Sequence, residues 1–128
     1  MSVVAIDVGL KRIGVAVLVS GIAVASEPII RKNREQASRD VSVMLKAKKA
    51  EKLVVGLPKG GASEEEMERR IKHFISLLEF DGEIVYADEY GSSREALEIA
   101  GGGLTKNKDG RVDSLAALVI LKRWANLL

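Results

Sequence analysis

A chain of 128 residues, 47% hydrophobic and 30% charged, has the size and composition of one globular domain over 1–128. Its lack of cysteine excludes disulfides, thiolate metal sites and cysteine nucleophiles. Net charge is only +2, and the longest strongly apolar run, Leu115 to Leu121, is far shorter than the roughly 20 residues that cross a bilayer. The expectation is a cytoplasmic protein with no membrane partner.

Val3 to Val8 is mostly apolar, as a strand buried on both faces should be, yet Asp7 interrupts it. Arg12 to Ser20 is a second β-branched run, Gly21 breaks it, and Ile22 to Ile30 is a third. The short glycine-containing connections predict two successive antiparallel hairpins. Asn33 to Ala50 changes to helical spacing, with Ala37, Val41, Met44 and Leu45 on one side. Lys52 to Gly56 reads as a fourth strand, stopped by Leu57-Pro58 and Gly60-Gly61.

Ser63 and Glu66 form a capping box for a second helix, whose stripe is Met67, Ile71, Phe74, Ile75 and Leu78. Glu83 to Ala87 is a fifth strand ending at Asp88-Glu89. Ser92 and Glu95 suggest a short helix to Ala100. The Gly101 to Arg111 stretch opens with three glycines, which lose much entropy when ordered, so a mobile loop is expected. Val112 to Leu128 is the last helix, apolar almost all round from Leu115 to Leu121. Three meandering strands followed by alternating helices and strands predict an α/β fold, a mixed five-stranded sheet with helices on both faces.

Three acidic points stand out. Asp7 lies mid-strand, where it has no capping role and is costly to bury without a partner. Asp88-Glu89 end the fifth strand, and Asp113 opens the last helix. Asp113 also suits a helix cap, and Asp88-Glu89 also read as loop acids. In such a sheet, ligands gather beyond the carboxyl ends of the parallel strands. If the first strand is central, these acids converge, and converged carboxylates need a cation between them. Oxygen-only ligands suit Mg²⁺ or Mn²⁺, the ions of metal-dependent phosphodiester hydrolysis. Gly9 lets the backbone turn just past Asp7, Gly14 permits close approach across the hairpin, and Gly56 adds no bulk beside such a cation.

Cations accompany the acids: Lys11, Arg12, Lys106, Lys108 and Arg111. Between Arg31 and Lys52 eight basic residues face three acids, either a solvated helix face or a phosphate-contacting surface that extends the track. Phe74, Phe80, Tyr86 and Trp124 fall on patterns that point to the core, leaving Tyr90 in a site loop. His73, mid-helix, is far in sequence from the acids and offers no base for serine chemistry.

Four motifs carry a resemblance. They are D-V-G-L-K-R-I-G-V-A from Asp7, V-V-G-L-P from Val54, D-E-x-x-S-S-x-x-A from Asp88, and K-D-G-R-V-D-S-L-A-A-L-V-I-L from Lys108. In this order they resemble the YqgF/RuvX family over essentially the whole chain. The resemblance implies an RNase H-like fold. It also implies a nuclease, either for the 5′ end of precursor 16S ribosomal RNA or for Holliday junctions. Position by position, it makes Asp7, Glu89 and Asp113 catalytic metal ligands for Mg²⁺ or Mn²⁺, with Asp88 in support. Lys11 and Arg12 match a basic pair suited to phosphate.

Two positions depart from the pattern. Tyr90 stands where the family usually has Arg, and Lys59-Gly60-Gly61-Ala62 replaces an Asn-Met-Asp-Gly-like loop. Both bear on substrate choice. The expected partner is nucleic acid, precursor ribosomal RNA or branched DNA, and the expected state is a monomer or weak homodimer. A non-catalytic nucleic-acid-binding protein is the rival reading. A sugar-kinase or actin-like ATPase is disfavoured because a second D-x-G motif is absent.

Overall fold

The protein is described by a computed structural model covering residues 2–58, 64–88 and 111–127. In chain order the elements are β1 (Ser2–Val8), β2 (Arg12–Val19), β3 (Ile22–Ile30), α1 (Arg34–Ala47), β4 (Ala50–Leu57), α2 (Glu64–Ser76), β5 (Glu83–Asp88) and α3 (Arg111–Trp124). Ser63, Lys59-Gly60-Gly61-Ala62, the Ser92 to Ala100 helix and the glycine-rich stretch up to Gly110 lie outside the described residues.

The five strands form one sheet in the order β3-β2-β1-β4-β5, so the strand bearing Asp7 is central. β1–β2 and β2–β3 are antiparallel, whereas β1–β4 and β4–β5 are parallel. The β2–β3 hairpin turns on Ser20 and Gly21, with φ of 52° and 80°. Positive φ at both turn residues is the twist-matched geometry of a tight hairpin, and glycine adopts it without steric cost. One residue too many on β3 shifts its register, so that Gly14 faces Glu27 and Pro28. Pro28, which has no N–H to donate, is accommodated at this irregularity on an edge strand.

The helices cover both faces. Val4, Ile6, Val8, Ile13, Val15, Leu53 and Val55 pack under α1 (Ala37, Val41, Leu45) and α2 (Ile71, Phe74, Ile75). Ala5, Ala16 and Val54 pack under α3 (Ala117, Leu118, Ile120, Leu121) on the other face. The small side chains on this second face let one helix sit close to the sheet centre.

Asn33 caps α1 with a full capping box: its side chain accepts from the Gln36 amide at 2.8 Å, and the Gln36 side chain accepts from the Asn33 amide at 3.3 Å. The helix ends earlier than its periodicity suggests. Lys49 adopts φ of 52°, the left-handed conformation that terminates helices, and β4 begins at Ala50 because Ser2 pairs there.

One expectation for the aromatic residues changes. Tyr86 is exposed rather than buried, because β5 is an edge strand; Lys72 Nζ lies 5.3 Å from its ring centroid. Glu83, on the same edge, pairs with Lys52 at 3.0 Å. No described helix is long and apolar enough to cross a membrane.

Candidate active site

Alternation along β1 sets the face of Asp7. Val4, Ile6 and Val8 enter the α1/α2 core, whereas Val3 and Ala5 pack on the α3 side, so Asp7 belongs to the α3 face. It stands one residue from the carboxyl end of the central strand and is partly buried. Its antiparallel partner is Gly14, which is buried. Gly56 follows Val55, the parallel partner of Ile6, and so stands beside Asp7 on the other side, also buried. Neither neighbour projects a side chain, so the carboxylate has room on both flanks.

The direction of α3 sets where its first turn lies. Ser114, 2% exposed, accepts a hydrogen bond at 3.4 Å from the Val15 amide, next to Gly14. The other end of α3 reaches the opposite end of the sheet, where Trp124 receives Lys52 Nζ at 5.0 Å from its ring centroid. The first turn of α3, containing Arg111 and Asp113, therefore lies at the carboxyl end of β1 and over the face of Asp7. Ser114 was not singled out by the sequence reading. Its only signal is a lone hydroxyl beginning a helix that is otherwise apolar from Leu115.

Ser114→Ala tests this anchor. Removing the hydroxyl leaves a buried amide without its acceptor, a loss of about 1–3 kcal/mol. The long 3.4 Å contact places the expected value at the low end, read as a shifted urea midpoint with an unchanged slope.

Asp88 ends β5, paired with Leu57. Its backbone stands two strands from β1, about 10 Å across the sheet. Glu89, Tyr90, Lys106 and Lys108 lie outside the described residues. Among the described residues, no three Asp, Glu or His side chains are close enough to hold a metal ion. Asp7 between two glycines, with the start of α3 above it, fits an all-oxygen cation site of the Mg²⁺ or Mn²⁺ kind.

The β1–β2 turn carries Lys11 and Arg12 directly after Asp7. Gly9 makes it tight: its amide donates to the Arg12 carbonyl at 3.0 Å, and an added Cβ would meet that carbonyl oxygen at 2.5 Å. Arg31 clamps the turn from outside. Its Nη1 donates to the Gly9 carbonyl at 3.1 Å, its backbone N–H donates to the Lys11 carbonyl at 2.8 Å, and its guanidinium carbon lies 5.2 Å from the Phe74 ring centroid. Burial, and secondarily the charge of Arg34, lower the Arg31 pKa from its ordinary value. The sequence reading counted Arg31 only as one of a run of cations.

That run does not form a single track. α1 lies on the opposite face from Asp7, and only its first turn reaches the site end. Lys46 lies about 18 Å along the helix from Arg34, and Ser2 Oγ donates to the Lys48 carbonyl at the far end of β1. His73 is exposed on α2, which packs on the sheet face opposite Asp7.

Comparisons with known proteins agree with this architecture. A family model described as "RuvX: Holliday junction resolvase" matches residues 1–126. A Sulfurovum protein named as a candidate pre-16S rRNA nuclease is 56% identical over 128 residues, 99% of this chain and 100% of that protein. A relative of the same name from Campylobacter jejuni subsp. doylei is 54% identical over 125 residues, 97% of this chain and 96% of the relative. Among solved structures, T. thermophilus RuvC with a Holliday junction substrate superposes with a TM-score of 0.60 at 13% identity, covering 99% of this chain and 96% of that one. The fowlpox virus Holliday junction resolvase gives 0.59 at 14% identity, with both chains fully covered. At those identities the likeness is one of fold, the RNase H-like resolvase architecture, while the sequence matches over nearly the full length identify kinship: the chain belongs to the RuvX family.

Proposed function

We propose that this protein is a metal-dependent endonuclease that hydrolyses phosphodiester bonds in the 5′ end of precursor 16S ribosomal RNA. The observation that carries the reading is Asp7 at the carboxyl end of the central strand, flanked by Gly14 and Gly56 and overlooked by the first turn of α3. Asp7, Glu89 and Asp113 would hold Mg²⁺ or Mn²⁺, with Asp88 supporting Glu89. When bound, such an ion supplies charge neutralisation at the phosphate and a lowered pKa for water. The chain's own residues do the rest. Lys11 and Arg12 bind the phosphate backbone beside Asp7, and Lys106, Lys108 and Arg111 add further phosphate contacts. Ser114 keeps α3 seated on β2. Acting on a ribosomal RNA precursor would place the protein in the cytoplasm.

The RNA substrate is favoured by the names of the relatives that are 54–56% identical. The resolvase reading rests on the family description. Symmetric cutting of a four-way junction calls for a two-fold dimer with paired sites, and RNA trimming does not. Purified protein is incubated with a precursor 16S 5′-end RNA and with a synthetic DNA junction, each with Mn²⁺ or EDTA. RNA cleavage in Mn²⁺ only is the expected result. Cleavage of the junction alone favours the resolvase, and cleavage of neither overturns the enzyme reading in favour of a nucleic-acid-binding module.

A further inference from the structure

The carboxyl end of β1 is also where β3 ends and α1 begins. Arg12 pairs with Ile30, and the Arg31 amide donates to the Lys11 carbonyl at 2.8 Å. Lys11, Arg12, Arg31, Lys32 and Arg34 are thereby brought to one corner of the sheet. Glu35 is the acid of the first turn of α1. Among the described residues none of the five cations forms a salt bridge within 4 Å, although Lys52, Arg70 and Lys72 all do. The cap side chains already engage three amides here: Gln36 Oε1 accepts from the Lys32 amide at 2.7 Å and from the Asn33 amide at 3.3 Å, and Asn33 Oδ1 accepts from the Gln36 amide at 2.8 Å. Arg31 is committed to Gly9 and Phe74, which leaves the exposed Lys32 and Arg34 as the outward-facing charges.

We propose that Lys32 and Arg34, held beside Lys11 and Arg12 by the Arg31 clamp, bind non-scissile backbone phosphates of the RNA strand where it passes over the end of the sheet. The strand would run from Asp7 on the α3 face, across the β1–β2 turn, to the first turn of α1. Lys46 and Lys48, although part of the same basic run, lie at the other end of the helix and take no part. This assignment rests on the nuclease reading and adds the path of the substrate beyond the scissile bond.

The test uses full-length Asp7→Asn protein and a fluorescent single-stranded RNA spanning a precursor 16S 5′ end, with Kd measured between 0.05 and 0.3 M salt. Two double variants are compared in that background: Lys32→Ala with Arg34→Ala, and Lys46→Ala with Lys48→Ala. Each phosphate contact on a single strand contributes about 0.7 to the slope of log K against log salt. The first pair is expected to flatten the slope by about 1.4, equivalent to roughly 25-fold weaker binding at 0.1 M salt. The second pair, which removes the same charge, is expected to change Kd less than about threefold. The four side chains project from the ends of an intact capped helix, and an unchanged Tm confirms that each variant folds. Equal losses from both pairs, or no loss from the first, overturn the proposal while leaving the nuclease reading standing. No RNA binding by Asp7→Asn at any salt overturns both.

Discussion

Asp7→Asn is expected to reduce cleavage by about 10³-fold or more while leaving the protein folded and able to bind RNA. The size follows from the role. Loss of a group that only supports a metal ligand costs 10–100-fold, and loss of the ligand on the central strand should exceed that. The substitution changes one oxygen for an amide nitrogen and removes a charge, with almost no change of volume. Gly14 and Gly56 flank the position, so the amide meets no crowding. Removing a partly buried charge relieves some desolvation. Tm is therefore expected to shift by only a few degrees, and RNA affinity at low salt by less than about threefold. Calorimetry with Mn²⁺ supplies the independent readout: binding heat present in the wild-type protein should be lost in the variant. Cleavage at the normal rate by Asp7→Asn would leave the metal mechanism without its central ligand.

Much of the fold around Asp7 is legible in the sequence, and for physical reasons. Buried strands write themselves as β-branched runs, so Val3 to Val8 and Arg12 to Ile30 were clear, and an acid inside one of them could only be expensive or useful. The two hairpins follow from Gly9 and the Ser20-Gly21 turn, which place β2 beside β1 by local chemistry alone. The end of α1 was not legible, because Lys49 takes the left-handed conformation usually given to glycine, and Ala50-Glu51 continue the helical pattern. The division of the basic run was not legible either. Periodicity reports which residues share a helix face, and only the sheet order reveals that one end of α1 meets the Asp7 site while the other meets Ser2. Arg31 and Ser114 escaped notice for the same reason. Their partners, Gly9 and Val15, are 22 and 99 residues away, so no local window contains the interaction.

Phe74→Ala is expected to be the most damaging of the core truncations, and to connect stability with the site. Phe74 is 1% exposed and is among the largest fully buried side chains of the α1/α2 core. Its truncation removes apolar area and leaves a cavity between rigid elements, a loss of about 3–5 kcal/mol. For a chain of this length that lowers Tm by roughly 12–20 °C. A second consequence follows from the Arg31 guanidinium, 5.2 Å from the ring centroid. Without the ring, the clamp on Gly9 and Lys11 loses one wall, and the turn that presents Lys11 and Arg12 is freed to move. Phe74→Leu separates the two effects, since it restores most of the apolar volume but offers no ring face to a cation. A double-mutant cycle of Phe74→Leu with Arg31→Met should return a coupling of about 0.5–2 kcal/mol in unfolding free energy. At temperatures where Phe74→Leu is fully folded, RNA should bind more weakly to it than to wild type, with the deficit shrinking as salt rises. Zero coupling, or wild-type RNA affinity in a folded Phe74→Leu protein, would show that the ring fills the core and does nothing for the turn.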